Sequence, residues 1–442
     1  MTTVYPPGPR LPSVVQTVLY NRRRAPFLRA MARRYGDVFT LRMAPPYARH
    51  LVVFSRPEHV REIFAADPAD LHAGEANRLL RPVMGEHSLL QTDEAAHARS
   101  RRLLMPAFTG SALRGYRDLV AEVAAAHVRE WESGSTVVTL DRMNELTLAV
   151  ILRVVFGVDE RGGAELAPRL RRIVDLDALT FLGWTSERLR RYGPWKRFGD
   201  NLIELDRLLF AQIARRRAAP GAGTDVLSRL LAVGAGADPA DAPLSDAELR
   251  DQLVTLLLAG HETTSSALAW ALHELAAAPE IQRRARRAAV EGDDRYLEAV
   301  LKEALRRRPV IGGVVRRLTR DLTLCGLELP AGTVVATSIV LAHGDPRNHR
   351  EPESFCPERF LDGGVPAHTW LPFGGGVRRC IGAGFSVLEG TVVLREILIR
   401  HALSLPPGAG AEHARVRNIT HVPAGGARVV VTADPIAPAR VG

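Results

Sequence analysis

Between about residue 95 and residue 278, apolar residues recur three and four positions apart, the spacing of a buried helix face. The pattern predicts helices over 96–105, 112–132, 141–156, 163–179, 195–218 and 245–278, with others at 26–35 and 383–400. β-rich runs at 38–43 and 50–54, separated by Ala44-Pro45-Pro46, predict a small hairpin. Ser55 followed by Glu58, with Pro57 in the first turn, reads as a capping box opening a helix over 59–64. Pro6, Pro7 and Pro9 lack donors and fix φ, so residues 1–12 read as an extended leader. Beyond Pro309, short β-rich runs at 322–324, around Glu328, at 333–340 and at 429–432 predict small sheets beside the helical mass. The Gly, Ala, Asp and Pro-rich stretch 233–243 lies between helices and reads as a long surface loop.

At 442 residues the length suggests about three domains or one large one. The 46% hydrophobic content and mean hydropathy of −0.04 are those of a globular chain. The most apolar helical stretch, 253–260, is far shorter than the roughly 20 residues that span a bilayer. No transmembrane segment is expected, and the protein is read as cytoplasmic. Cys325, Cys356 and Cys380 form neither a disulfide framework nor a zinc pattern, which fits a reduced compartment. The net charge of +10 comes from arginines scattered in short groups, the only lysines being Lys196 and Lys302. With 6% aromatic residues the chain lacks the interleaved stacking surface of a nucleic-acid binder, so no nucleic acid is expected, while an acidic protein partner is.

The densest chemistry lies in Phe373-Gly374-Gly375-Gly376-Val377-Arg378-Arg379-Cys380-Ile381-Gly382, just ahead of the helix predicted at 383–400. A helix start favours a thiolate over a thiol, and glycines admit a flat ligand against the backbone. The residues therefore predict a thiolate ligand. A phosphate cradle would need Gly-Lys-Ser/Thr after a parallel strand, and Arg379-Cys380 stands in that place.

The spacing Phe-x-x-Gly-x-Arg-x-Cys-x-Gly, filled by Phe373, Gly376, Arg378, Cys380 and Gly382, resembles the heme-binding loop of the cytochrome P450 superfamily. The resemblance extends over essentially the whole chain. It implies a mainly α fold, one large P450-type domain over 1–442 with small β-sheets, of the soluble bacterial, actinobacterial type. It also implies heme b (iron protoporphyrin IX) as cofactor, with Cys380 as the metal ligand, Arg378 on a propionate, and Phe373, Gly374 and Gly382 beside it.

Glu303 and Arg306 share one helix face, and alone they would be an ordinary surface pair. The resemblance joins them to Arg359, in Pro357-Glu358-Arg359-Phe360, as a buried structural network under the heme loop. Ala259-Gly260-His261-Glu262-Thr263-Thr264 interrupts a Leu- and Ala-rich helix with poor helix formers. Read by itself, Gly260 makes room and the Thr263 hydroxyl bonds back to the preceding turn, bending the helix. The resemblance makes this an oxygen-binding groove, with Ala259 and Gly260 beside the cofactor and Glu262 and Thr263 as an acid–alcohol pair passing protons to dioxygen. His261 is read as structural. His97 and Arg101, four residues apart, together with Arg316, are the implied propionate partners. Strand alternation lets only one of Arg316 and Arg317 face the heme.

By the same resemblance the substrate pocket is lined by Leu256, Ala259, Ile311, Val314, Ile419 and Thr420, with segments 76–90 and 176–192. This aliphatic lining implies a small apolar substrate, such as a terpene, fatty acid or other secondary metabolite, hydroxylated or epoxidised with one atom of O2. Electrons would come from a ferredoxin or flavodoxin served by an NAD(P)H-dependent reductase, since no flavin or nicotinamide motif is present, and the protein would be a monomer. A peroxide-dependent peroxygenase, which would not need the Glu262–Thr263 pair, and a non-catalytic heme sensor are the alternative classes. Cys325 and Cys356 are read as thiols without chemistry.

Overall fold

The computed structural model describes residues 5–158, 163–174, 188–219, 221, 223–232, 242–361 and 363–434. Its helices include α1 (Ser13–Arg22), α2 (Arg24–Tyr35), α3 (Pro57–Ala65), α4 (Glu94–Leu104), α5 (Gly110–Arg129), α6 (Thr139–Phe156), α7 (Gly193–Ala218), α8 (Asp246–Ala277), α9 (Asp294–Arg307) and α10 (Ala383–Leu398). The strands that position the site are β1 (Val38–Arg42), β2 (His50–Phe54), β3 (Leu71–His72), β4 (Gly313–Leu318), β5 (Val334–Ser338), β6 (Ala414–Arg417) and β7 (Thr420–Pro423). The expected mainly α architecture with small sheets is what forms. The helix expected at 163–179 is seen as Leu166–Val174; residues 175–179, like 233–241 of the expected loop, lie outside the described residues.

The helical core is one continuous apolar cluster in which Val120, Leu146, Leu205, Leu268, Leu297 and Leu394 bring α5 to α10 together, all fully buried. Each such side chain contributes about 1.5–3 kcal/mol of transfer free energy. At its centre runs α8, 32 residues long. Its start is fixed by a capping box: the Ser245 hydroxyl accepts from Glu248 N at 3.2 Å, and Ser245 N donates to Glu248 Oε2 at 2.8 Å.

The second layer is a five-stranded sheet in the order β1-β2-β5-β4-β3, antiparallel except where Leu51–Phe54 runs parallel to Val334–Thr337. The leader lies tightly on it. Thr40 N donates to Pro7 O at 3.1 Å, and a Cβ on Gly8 would sit 1.9 Å from Thr40 O. The capping box expected at Ser55 does not form. Arg56 is the extended residue before α3, the Ser55 hydroxyl donates to Asp37 O at 3.3 Å, and Glu58 turns to Arg56 Nε at 2.5 Å. The nearby cation and carbonyl outcompete the cap.

Glu303 and Arg306 on α9 are almost completely buried, at 0% and 1% exposure. Arg306 Nε and Nη2 meet Glu303 at 2.8 and 2.9 Å, and Arg359 Nε approaches the same carboxylate at 3.0 Å. Cys356 N donates to Glu303 at 3.0 Å, and Arg306 also donates to His343 O and Ser354 O, each at 3.1 Å. The network continues through His343. Its Nδ1 lies 3.1 Å from Arg306 O, while Nε2 accepts from Leu371 N at 2.8 Å, which requires the neutral Nδ1–H tautomer. Leu371 O accepts in turn from Gly374 N at 2.9 Å, so hydrogen bonds run unbroken from α9 to the glycine-rich loop.

Two outcomes follow from this packing. Glu303→Ala confronts two buried guanidiniums with no counter-charge, and a loss of about 3–5 kcal/mol is expected in urea unfolding. Burial, reinforced by His349 and Arg306, pulls the His343 imidazole down to about 3. Because the unfolded chain takes up that proton near pH 6.5 and the folded one does not, stability falls as pH drops from about 6.5 toward 3, by up to about 1.4 kcal/mol per unit. The urea midpoint of His343→Gln should be lower at pH 7 and depend less on pH in this window.

Candidate active site

The glycine-rich loop is shaped by close packing on α3. Gly374 and Gly376 both adopt φ of +63°, and a Cβ on Gly375 or Gly376 would fall 2.2 Å from the ring or the carbonyl of Phe64. Cys380 N donates to Phe373 O at 2.9 Å, closing the loop, and α10 starts three residues later at Ala383. Phe373 itself stacks edge-on against Trp370, with centroids 5.8 Å apart. Apart from its chain neighbours, nothing among the described residues lies within 4 Å of where a Gly382 Cβ would be, so the chain is open beside Cys380.

The Cys380 side chain reaches open space although it is set deep among protein atoms. That depth pushes its thiol up, opposed by the Gly382 N–H and by the charges of Arg101 and Arg379. The helix start and the arginines thus act in the sense expected from sequence, but burial outweighs them. In the protein alone the thiolate is disfavoured, and a positive charge at the sulfur would favour it.

Four basic groups from three segments converge nearby. His97 and Arg101 come from α4, Arg316 from β4 and Arg378 from the loop. Arg378 donates to Leu89 O at 3.2 Å, to Thr92 O at 2.5 Å and to Asp93 Oδ1. Arg101 donates to Arg379 O at 2.8 Å, which ties α4 to the cysteine loop. Burial first, then Arg378 and Arg101, lowers the His97 imidazole to about 4. Burial and Arg378 likewise lower Arg316 to about 10. The alternation on β4 resolves the pair: Arg316 is buried toward this cluster, while Arg317 points the other way, 3.4 Å from Glu75.

Asp93, not singled out in the sequence, is the carboxylate that acts on this cluster. Although it precedes α4 it does not cap that helix, and instead accepts from the N–H groups of Ala73, Gly74 and Glu75 at 2.9–3.0 Å. A carboxylate already saturated by three N–H groups and Arg378 leaves the site strongly positive. Such an interior suits a dianionic ligand edge, and the single accessible sulfur suits a metal. The donor set therefore fits a heme.

Across the molecule, α8 is buried from Leu249 to Ala276 except at Leu258, Ala259, Gly260 and Thr263, one opened turn. Thr263 Oγ1 donates to Ala259 O at 2.7 Å, the back-bond expected from sequence, and the helix runs through without a break. Gly260 makes room in a different direction: a Cβ there would meet Ile151 Cδ1 at 3.0 Å, so its absence lets α6 pack on α8. His261 is buried against α6, its Nδ1 2.9 Å from Thr147 Oγ1, and burial lowers it to about 3, consistent with a structural part. Thr264 reaches Ser386 on α10 at 3.3 Å, joining the opened turn to the helix behind Cys380.

Glu262 turns away from the loop. Its Oε1 accepts from Arg417 Nε at 2.9 Å and from Thr420 Oγ1 at 2.7 Å, both on the β6–β7 hairpin. Arg417 carried no sequence signal, because nothing local marks a strand arginine that meets an acid 155 residues away. Of the expected pocket residues, Ala259 and Ile419 are exposed, and Ile311 and Val314 are half-buried. Gly374 faces Val314, with a Cβ there falling 3.7 Å from Val314 Cγ1. Leu256 belongs to the helical core, and Thr420 is buried, paired by a β-bridge with Ile311 and holding Glu262 rather than forming an open wall. Segment 176–187 of the expected lining lies outside the described residues.

The chain matches the family model described as Cytochrome P450 over residues 6–422. It is 56% identical over 432 residues to the Mycobacterium tuberculosis protein named "Putative cytochrome P450 135A1", covering 97% of this chain and 95% of that one. It is 41% identical over 437 residues to "Putative cytochrome P450 135B1" of Mycobacterium bovis, covering 97% of this chain and 91% of that protein. Among solved structures, the retinoic acid-bound cyanobacterial CYP120A1 superposes with a TM-score of 0.84 at 25% identity, covering 98% of this chain and 100% of that one. The heme domain of cytochrome P450DA superposes with a TM-score of 0.83 at 26% identity, covering 97% of this chain and 98% of that one.

Proposed function

This chain belongs to the cytochrome P450 family, and from that premise we propose that Cys380 is the axial thiolate of a heme b whose propionates are held by His97, Arg101, Arg316 and Arg378. Members of the family are heme-thiolate monooxygenases that take electrons from redox partners. The observation that supports these assignments is the convergence of four basic groups around one saturated carboxylate beside a single accessible sulfur. In this reading residues 1–442 form one domain with 1–12 as its leader. Leader and loop meet the same sheet layer.

When bound, the heme supplies electron uptake and dioxygen activation. The protein's part is positional and electrostatic. Cys380 would hold the iron as a thiolate, a form that burial disfavours in the protein alone and that the Gly382 N–H with Arg101 and Arg379 would steady. Arg316, already desolvated, would gain a counter-ion from a propionate, and Arg378, already paired with Asp93, would gain a second one. Thr263 holds a proton at Oγ1 on the opened turn of α8. Glu262, a carboxylate held by Arg417 and Thr420, would have to exchange those bonds and take up a proton from solvent before passing it to that hydroxyl.

Ala259, Ile311, Val314 and Ile419 offer an aliphatic wall, so the substrate is a small apolar organic molecule hydroxylated or epoxidised with one oxygen atom. The solved relative bound to retinoic acid, a largely hydrocarbon acid, supports that class. The partner is an acidic ferredoxin or flavodoxin served by an NAD(P)H-dependent reductase. A cleft of about 830 Å³ beside α4, lined by Arg101, Arg102 and Arg229 with Met105 and Val377, matches such a surface. First-electron transfer should slow as salt is raised.

Four variants test the assignments. Cys380→Ala should abolish the red-shifted Soret band that thiolate ligation gives the reduced carbonyl complex. Arg316→Leu should speed heme transfer to an apoglobin acceptor about tenfold or more, the worth of a buried charged hydrogen bond, while Arg317→Leu leaves it unchanged. Thr263→Ala should keep the spectrum yet raise the reductant consumed per product roughly severalfold.

A further inference from the structure

The first 36 residues hold seven arginines and no acidic residue, the first being Asp37. Within this segment α1 is pinned from inside. Gln16 is fully buried, donating to Pro9 O at 3.1 Å and Leu11 O at 2.7 Å and accepting from Arg42 N at 2.9 Å. Leu19 and Tyr20 pack against the small core that includes Phe27. The outward side is equally apolar. Leu11, Val14, Val15 and Val18, at positions i, i+3, i+4 and i+7, form one stripe exposed by 41, 61, 41 and 48%. A helix apolar on both sides is ordinarily covered on both.

Beside the stripe a cavity of about 500 Å³ is lined by Arg10, Arg42 and Arg49 with Tyr47 and Met43, and among the described residues no carboxylate lines it. The positive field is felt at His50, which burial together with Arg49 and Arg42 holds below its ordinary value. We propose that this face, α1 with the turn between β1 and β2, docks the protein on an anionic phospholipid surface. The stripe enters the acyl boundary, and Arg10, Arg42 and Arg49 hold phosphate headgroups. Charge complementarity selects this occupant over a second copy. Four side chains fall far short of the roughly 800 Å² per partner of a stable dimer, and a two-fold contact would set arginines against arginines. No helix among the described residues is long and apolar enough to cross a membrane, so the attachment is to the surface.

The placement has a functional consequence, which rests on the heme reading as the docking itself does not. Helix α1 packs beside β6, whose hairpin carries the exposed Ile419 and the Thr420 that grips Glu262. An apolar substrate dissolved in the bilayer would then meet the pocket wall from the docked side.

The test is sedimentation of the full-length holoprotein with phosphatidylglycerol vesicles and with phosphatidylcholine vesicles. Binding to the anionic vesicles should be at least about tenfold tighter and should weaken with salt. Val14→Asp with Val18→Asp, and separately Arg42→Glu with Arg49→Glu, should each cost at least about tenfold while the reduced carbonyl spectrum is unchanged. Equal binding to both vesicles, no binding to the anionic ones, or binding untouched by the arginine pair overturns the proposal. Self-association abolished by the valine pair, without vesicle binding, overturns it in favour of a second copy.

Discussion

A continuous run of hydrogen bonds links the interior of the helical mass to the cysteine loop, and the geometry of the candidate site depends on it. Glu303 neutralises Arg306 on the same helix face, the Arg306 carbonyl orients His343, and the His343 ring accepts the Leu371 N–H at the entrance to the loop. Every member is buried and each has its partner, the condition under which an interior polar network confers a unique arrangement. The glycines then do the rest. Their left-handed turns let the loop press onto Phe64, and the Phe373 carbonyl holds the Cys380 N–H.

The site itself combines two unfavourable arrangements. One is a thiol set so deep that its ionisation is disfavoured, and the other is a set of basic groups gathered around one saturated carboxylate. Each is costly in the protein alone, and each would be relieved, under the proposed assignment, by a ligand carrying a metal cation at its centre and two carboxylates at its edge. The same logic explains why Asp93 is spent on backbone N–H groups and Arg378. It positions the loop and offsets one positive charge, against the three of Arg101, Arg316 and Arg378.

Surface charge is distributed with a comparable asymmetry. The cleft beside α4 gathers Arg101, Arg102 and Arg229 beside Met105 and Val377. The arginines of the leader and of the β1–β2 turn lie instead around an outward apolar stripe. The excess of positive charge is thus divided between two places that differ in the apolar surface each group of arginines accompanies.

Much of this was legible in the chain. Helical periodicity located α4 to α8 because one buried face imposes its spacing on every turn, and the motifs around Glu303, Arg359 and Cys380 were readable because their chemistry tolerates few residue types. What the chain could not decide was which of several local options wins against distant neighbours. Ser55 was spelled as a cap, yet Asp37 and Arg56 claim its partners. Gly260 was free to face a ligand or a helix, and the approach of α6 chose the helix. Arg316 and Arg317 were equivalent until pairing with β5 set the register, and Glu262 found Arg417 only when a hairpin far along the chain folded over it. Local spacing encodes an element and the chemistry it can carry, whereas direction, burial and partner are properties of the surroundings, and those exist only once the chain has closed on itself.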